Sequence, residues 1–239
     1  MEFSTIVLLI AAVIPALFFV LYIDMMDNQK PEPWHVLLLS VLVGAAASLA
    51  VTKSGLPFLP ERVPIVESHS LSESLNIGFI GLAIPVEIAK WIALFIFLSL
   101  NKHYDEYLDG IVYSVSLSMG FAWLWSVWFM TSGIDASPFE LMEKCIFIFF
   151  ILIPIHLGAG SVMGFFFALA RGRNKFRNNT LALLLPILIS GLLYSLFFML
   201  SNLWAYYIIA GILLPVISII SLFQVFRLLK MDGIKYKLR

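Results

Sequence analysis

The chain has 239 residues, of which 61% are hydrophobic and only 13% are charged, and its formal net charge is zero. Repeated apolar runs of about 20 residues predict a polytopic helical membrane protein rather than a soluble domain. The neutral charge balance gives no support for nucleic acid as a partner. The single cysteine, Cys145, excludes an intrachain disulfide and a cysteine-based metal cluster.

Hydropathy predicts seven spans, at about 3–23, 34–52, 77–99, 109–131, 145–170, 180–200 and 203–226. We therefore predict an all-α transmembrane bundle of seven to eight helices that forms a single integral membrane domain over residues 1–239. The N-terminal segment lacks the basic leader and the cleavage site of a signal peptide, so the first span is expected to remain uncleaved. The polar segment 53–76 is expected to be a solvated connector, with a flap or an interfacial turn as alternatives.

Basic residues predict the orientation of the bundle, because cytoplasmic loops of membrane proteins carry an excess of lysine and arginine. The loop after the fifth predicted span holds Arg171, Arg173, Lys175 and Arg177. A basic tail at about 227–239 holds five more such residues. Both segments are predicted to be cytoplasmic, which places the N-terminus outside.

Two ionisable residues, Glu87 and Lys90, lie in the middle of the third predicted span. An ionisable group at this depth costs on the order of 2.5–3.5 kcal/mol, so it marks a candidate functional site. Residues three apart share a helix face, so the pair can also neutralise itself within its own helix, and both interpretations stay open. Pro85, just before the pair, favours a kink that lines a cavity.

A third polar residue, His156, lies in the fifth predicted span, two residues after Pro154. Gly160 and Gly164 continue its stripe on the helix, which predicts a close approach by another helix. From the outer ends of their spans, Glu87 is about 15 Å deep and His156 about 16 Å deep. Similar depth is what one shared site requires, although a membrane histidine also serves as an interhelical hydrogen-bond partner.

A catalytic zinc site usually has three protein ligands, and at this depth only Glu87 and His156 are candidates. Asp109 begins the fourth span, about half a membrane thickness away. A Ser-His-Asp arrangement also lacks its acid. The serines within spans are expected to bond mainly to backbone carbonyls; they are Ser116, Ser118, Ser126, Ser161, Ser190 and Ser195.

Four landmarks in their order and spacing resemble the PrsW-type intramembrane proteases, distant relatives of the CAAX-protease-like membrane peptidases. The landmarks are Leu21–Asp24 with Asp27 and Pro31–Trp34; Val86–Lys90; Asp109–Tyr113 followed by Gly120–Ala122; and His156 with Gly164. They match the family patterns Tyr-x-x-x-Asp with Glu-Pro-Trp, Glu-Glu-x-x-Lys, Asp-Gly-Ile-x-Tyr with Gly-Phe-Ala, and the histidine helix. The resemblance covers about residues 14–200.

The chain also departs from the family pattern at several polar positions. Val86 stands where the family has the first motif glutamate, and Trp125 and Ser126 stand where it has a Glu-Asn pair. Ser190 and Ser195 fall where it often has a histidine and an Asn or Asp. The site implied by the resemblance is therefore degenerate.

The resemblance implies cleavage of a membrane-embedded protein, such as an anti-sigma-factor-like single-span protein, in a bacterial or archaeal cytoplasmic membrane. Glu87 would act as general base or metal ligand, and His156 as metal ligand or oxyanion donor. Lys90 would set the charge state of Glu87. The resemblance leaves open whether a divalent metal such as zinc takes part.

The missing motif carboxylates favour a second hypothesis, a catalytically inactive relative that binds or regulates a membrane partner. A third hypothesis, a proton-coupled carrier, rests only on the intramembrane Glu and His.

Overall fold

A computed structural model describes residues 13–14, 16–22, 25, 32–55, 70–131, 145, 148–172 and 174–199, and scattered positions between 212 and 231. Within these ranges, five helices are long and apolar enough to cross a membrane. They are α1 (Trp34–Ser54), α2 (Leu71–Leu100), α3 (Asp109–Thr131), α4 (Ile148–Ala170) and α5 (Lys175–Met199). None of the described residues lies in a strand, which agrees with the predicted all-α class.

The five helices coincide with the five middle predicted spans. Even α1, with 21 residues, is about 31 Å long at 1.5 Å per residue and matches a hydrocarbon core of about 30 Å. The first and last predicted spans, 3–23 and 203–226, lie largely outside the described residues. The number of seven spans and the sides on which the termini lie therefore stay predictions.

The start of α2 corrects the prediction that residues 53–76 form a connector. Ser70 caps this helix: its hydroxyl accepts the Glu73 N–H (3.3 Å), and the Glu73 carboxylate accepts the Ser70 N–H (3.0 Å). The Ser-x-x-Glu spacing is the sequence signal of such a capping box. Because of this cap, α2 begins at Leu71, six residues before the predicted boundary. At its other edge, the predicted connector loses residues 53–54 to α1, which ends at Ser54.

Two of the helices contain a π-helical stretch just before a proline. In α2 the stretch is Asn76–Ala83, followed by Pro85, and in α4 it is Ile148–Leu152, followed by Pro154. Proline has no N–H, and its ring clashes with the carbonyl one turn earlier, so a wider turn relieves the helix there. The irregularity expected at Pro85 thus takes the form of π-helical turns and recurs in α4.

Helices α3 and α4 form the centre of the bundle and are buried along most of their length. Helix α1 packs on α3, and α5 packs on α4 and on the π-helical part of α2. A Cβ added at Gly164 would overlap the carbonyl of Gly110, and one at Gly160 would overlap Ser118. Ser114 donates to the Gly160 carbonyl (2.7 Å). The predicted close approach along the glycine stripe is confirmed, and α3 is the helix that approaches.

The serines inside the helices behave largely as predicted. Ser116, Ser126, Ser161, Ser190 and Ser195 each donate to a carbonyl one turn earlier in their own helix, at 2.6–2.9 Å. The exception is Ser118, whose hydroxyl has no hydrogen-bond partner among the described residues. These five hydroxyl protons are committed to the backbone and are not free for catalysis.

Contacts at one end of the bundle join the loop between α2 and α3 to the end of α4. The Arg171 guanidinium lies 4.3 Å from the Tyr104 ring centroid and donates to the Glu106 carbonyl (2.6 Å). Burial raises the pKa of Tyr104 above its ordinary value although Arg171 opposes the shift. His35, at the start of α1, packs against His103 in this loop. The loop between α2 and α3, the start of α1 and the end of α4 therefore lie at one end of the bundle.

Candidate functional site

The three residues predicted from sequence as a site come together between α2 and α4. The Lys90 Nζ atom lies 2.8 Å from Glu87 Oε1 and 3.3 Å from His156 Nδ1. All three side chains are fully buried. The carboxylate and the imidazole do not bond to each other, and the lysine side chain links them. This contact agrees with the similar depth that the sequence predicts for Glu87 and His156.

Local helix geometry places these side chains. Glu87 and Lys90 share one face of α2 because they are three residues apart. Both Glu87 and His156 follow a helix proline by two positions, and each lies one turn beyond the end of a π-helical stretch. Such stretches are often found at functional sites.

An aromatic wall from α3 closes one side of the cluster. The Phe121 ring centroid lies 5.5 Å from the His156 ring and 6.0 Å from Lys90 Nζ. Trp125 stacks on Phe121 at 5.7 Å. Val86, next to Glu87 in α2, is also buried. These side chains make the surroundings of the cluster apolar.

The cluster keeps two polar atoms without hydrogen-bond partners among the described residues, Glu87 Oε2 and His156 Nε2. Ser190 lies beside the Glu87 carboxylate, but its hydroxyl donates to the Pro186 carbonyl (2.7 Å). Buried polar atoms are nearly always paired, so unpaired ones call for an explanation such as a ligand or a catalytic role. The site offers a carboxylate oxygen and an imidazole nitrogen to an incoming group.

A second polar cluster, which the sequence reasoning did not identify, joins the start of α1 to α3. Tyr113 donates a hydrogen bond to the Glu32 carboxylate, and Glu32 also interacts with Asp109. The Asp109 carboxylate also accepts hydrogen bonds from the backbone N–H groups of Asp105 (2.8 Å) and Glu106 (2.6 Å). The sequence signal for this cluster is the presence of Glu32 and Asp109 in two of the four landmarks. As predicted, Asp109 does not belong to the Glu87 cluster.

The fold and the site define a class: an integral membrane protein with an acid–base cluster buried between its helices. Comparison with known proteins identifies the family within this class. The family model "PrsW family intramembrane metalloprotease" matches residues 32–226. The chain therefore belongs to the PrsW family.

Named relatives agree with the family model. The chain is 26% identical over 205 residues to Protease PrsW of Bacillus subtilis (strain 168), which covers 83% of this chain and 86% of the relative. It is 28% identical over 223 residues to Protease PrsW of Clostridioides difficile (strain 630), covering 91% and 87%. No solved structure matches the chain. The apolar helices and these bacterial relatives support an integral protein of a bacterial membrane.

The family description implies a metal ion, and the residues do not fit one well. A catalytic zinc usually takes three protein ligands. Within the described ranges, no group of three His, Cys, Asp or Glu side chains could hold a metal. Glu87 and His156 supply two potential donors, and the Lys90 amino group contacts both of them.

Proposed function

We propose that this protein is a PrsW-like intramembrane protease with a degenerate site that cuts a membrane-embedded protein. The substrate class is a single-span protein of the anti-sigma-factor type. The observation that carries the proposal is the junction of Glu87, Lys90 and His156, because it joins residues from two landmarks of the family in one buried cluster. Orientation of this site in the cytoplasmic membrane, with the basic tail 227–239 inside, belongs to the same proposal.

Peptide hydrolysis needs a base for the attacking water and a donor for the oxyanion. The Glu87 Oε2 atom is suited to hold and deprotonate the water and then to pass that proton to the leaving amine. His156 Nε2, when it carries the proton, is suited to donate to the carbonyl oxygen of the scissile bond. Lys90 holds both groups in place and compensates the charge of the carboxylate. The apolar wall of Phe121 and Trp125 limits access of bulk water.

The altered motif positions favour a second candidate, an inactive relative that binds or regulates a membrane partner. Buried Val86 and Trp125 replace two carboxylates, and Ser190 replaces a histidine. General acid–base groups typically contribute about 10²–10⁴-fold each, so these losses would remove much of the activity.

A cleavage assay in proteoliposomes with single-span membrane proteins from the same organism separates the two candidates. The protease requires cleavage by the unaltered protein and a fall of about 10²–10⁴-fold in Glu87→Gln and in His156→Gln. Ser116→Ala is the matched control, because this buried serine bonds only its own helix and its loss should leave cleavage unchanged.

Restoring the family residues provides the reverse test. The triple variant Val86→Glu, Trp125→Glu, Ser190→His rebuilds the missing polar positions. Cleavage by the triple variant, with none by the unaltered protein, would contradict the protease proposal and support the inactive relative. Cleavage by the unaltered protein that survives both Glu87→Gln and His156→Gln would contradict the assigned site.

A further inference from the structure

The amino group of Lys90 contacts one potential metal-ligating atom of Glu87 and one of His156. It lies within hydrogen-bond distance of both candidate metal ligands, Glu87 Oε1 at 2.8 Å and His156 Nδ1 at 3.3 Å. All three groups are fully buried, so water does not separate their charges. A dication bound to both atoms would face the lysine charge at close range, and that repulsion is weakly screened in a buried site.

The side chains around the cluster also argue against a bound metal ion. Zinc sites are built from His, Cys, Asp and Glu, and the neighbouring positions in this chain carry Val86 and Ser190 instead. The Ser190 proton is committed to the Pro186 carbonyl (2.7 Å). The Phe121 ring faces the lysine at 6.0 Å and packs on the imidazole. An aromatic face favours an organic cation and supplies no metal ligand.

We infer that Lys90 takes the place of a metal ion in this chain and acts as the positioning residue of the site. This inference rests on the proposed function for the site's location. Lys90 carries only N–H donors, so His156 Nδ1 must be the acceptor of their hydrogen bond. The proton of the neutral imidazole is therefore on Nε2, the atom without a partner among the described residues. The lysine thus sets the tautomer in which His156 can donate to a substrate carbonyl.

Metal content tests the first half of the inference. The full-length protein is purified in detergent, loaded with Zn²⁺, dialysed and analysed by mass spectrometry for bound zinc. We expect the unaltered protein to retain no more zinc than Glu87→Gln or His156→Gln. Retention of one zinc per chain that is lost in both variants would overturn the inference.

The tautomer of His156 tests the second half of the inference. It is measured by ¹⁵N NMR of protein with labelled histidines, and the signal that disappears in His156→Gln is assigned to His156. We expect Nδ1 unprotonated and Nε2 protonated in the unaltered protein, and loss of this preference in Lys90→Met. Lys102→Met, an exposed lysine in the loop after α2, is the control and should change nothing. A protonated Nδ1 in the unaltered protein, or an unchanged spectrum in Lys90→Met, would overturn the assignment.

If Lys90→Met does not fold, the neutral double variant Glu87→Gln, Lys90→Met serves in its place. Neither readout depends on cleavage, so failure of the inference and failure of the proposed function are distinguishable. A protein that cuts its substrate and holds zinc at Glu87 and His156 contradicts the inference alone. A metal-free protein with the Nε2 proton that cuts nothing contradicts the protease alone.

Discussion

The buried ion pair of Glu87 and Lys90 predicts a strong dependence of stability on keeping the two charges matched. Both side chains are fully buried and their charged atoms are 2.8 Å apart. Removing one partner of such a pair costs about 3–5 kcal/mol, because the remaining charge stays buried without compensation. Replacing both partners by neutral side chains of similar size is often close to neutral. The free energy of unfolding should therefore fall in Lys90→Met and recover in the double variant Glu87→Gln, Lys90→Met.

The assay is thermal unfolding in detergent, followed by tryptophan fluorescence. For a chain of this size, 1 kcal/mol shifts the Tm by about 2–4 °C, so we expect Lys90→Met to lower it by about 6–20 °C. The Tm of the double variant should lie within a few degrees of the Tm of the unaltered protein. The exposed control Lys102→Met should have the same Tm as the unaltered protein. A double variant as unstable as Lys90→Met alone would refute the reasoning, because the loss would then come from packing rather than from an uncompensated carboxylate.

Two further substitutions test the packing around the site by the same measurement. Gly164→Ala places a methyl group against the α3 backbone and should cost about 1–3 kcal/mol. At Gly172 the nearest atom to an added Cβ is the Tyr107 hydroxyl at 3.3 Å, followed by the Leu169 carbonyl oxygen at 3.8 Å, so Gly172→Ala should be nearly neutral. Equal Tm values for the two variants would contradict the close approach of α3 and α4. Tyr113→Phe removes the hydroxyl that donates to Glu32 and should cost about 1–3 kcal/mol, and an unchanged Tm would mean that this bond contributes nothing to stability.

Much of the fold follows from the sequence because apolar length is a direct consequence of bilayer thickness. The five described helices coincide with predicted spans for that reason. Their ends were predicted less well, since hydropathy does not detect a polar first turn. The polar first turn of α2 belongs to a helix because Ser70 and Glu73 cap it, and the Ser-x-x-Glu pattern is the sequence signal of such a cap.

The sequence also predicts that Glu87 and His156 lie at a similar depth, but it does not predict the contacts between the side chains. Depth along two helices predicts that Glu87 and His156 lie at one level, but depth does not give the rotation of one helix against another. The sequence therefore suggested a Glu87–Lys90 pair within α2, whereas Lys90 also reaches across to His156. The bond between Tyr113 and Glu32 joins residues 81 positions apart, and no local pattern encodes such a contact.

The π-helical stretch of α2 has a consequence for how this helix tolerates changes in length. Residues 76–83 form wide turns that hold more residues per turn than an α-helix, and their packing on α5 fixes one end of the helix. Deleting one residue there can be absorbed when a wide turn closes to an α-helical one. Deleting one residue between this stretch and Glu87, where the helix is α-helical, would instead rotate Glu87 and Lys90 by about 100° relative to that fixed end. The two charges would then leave His156, although neither charged residue has been altered.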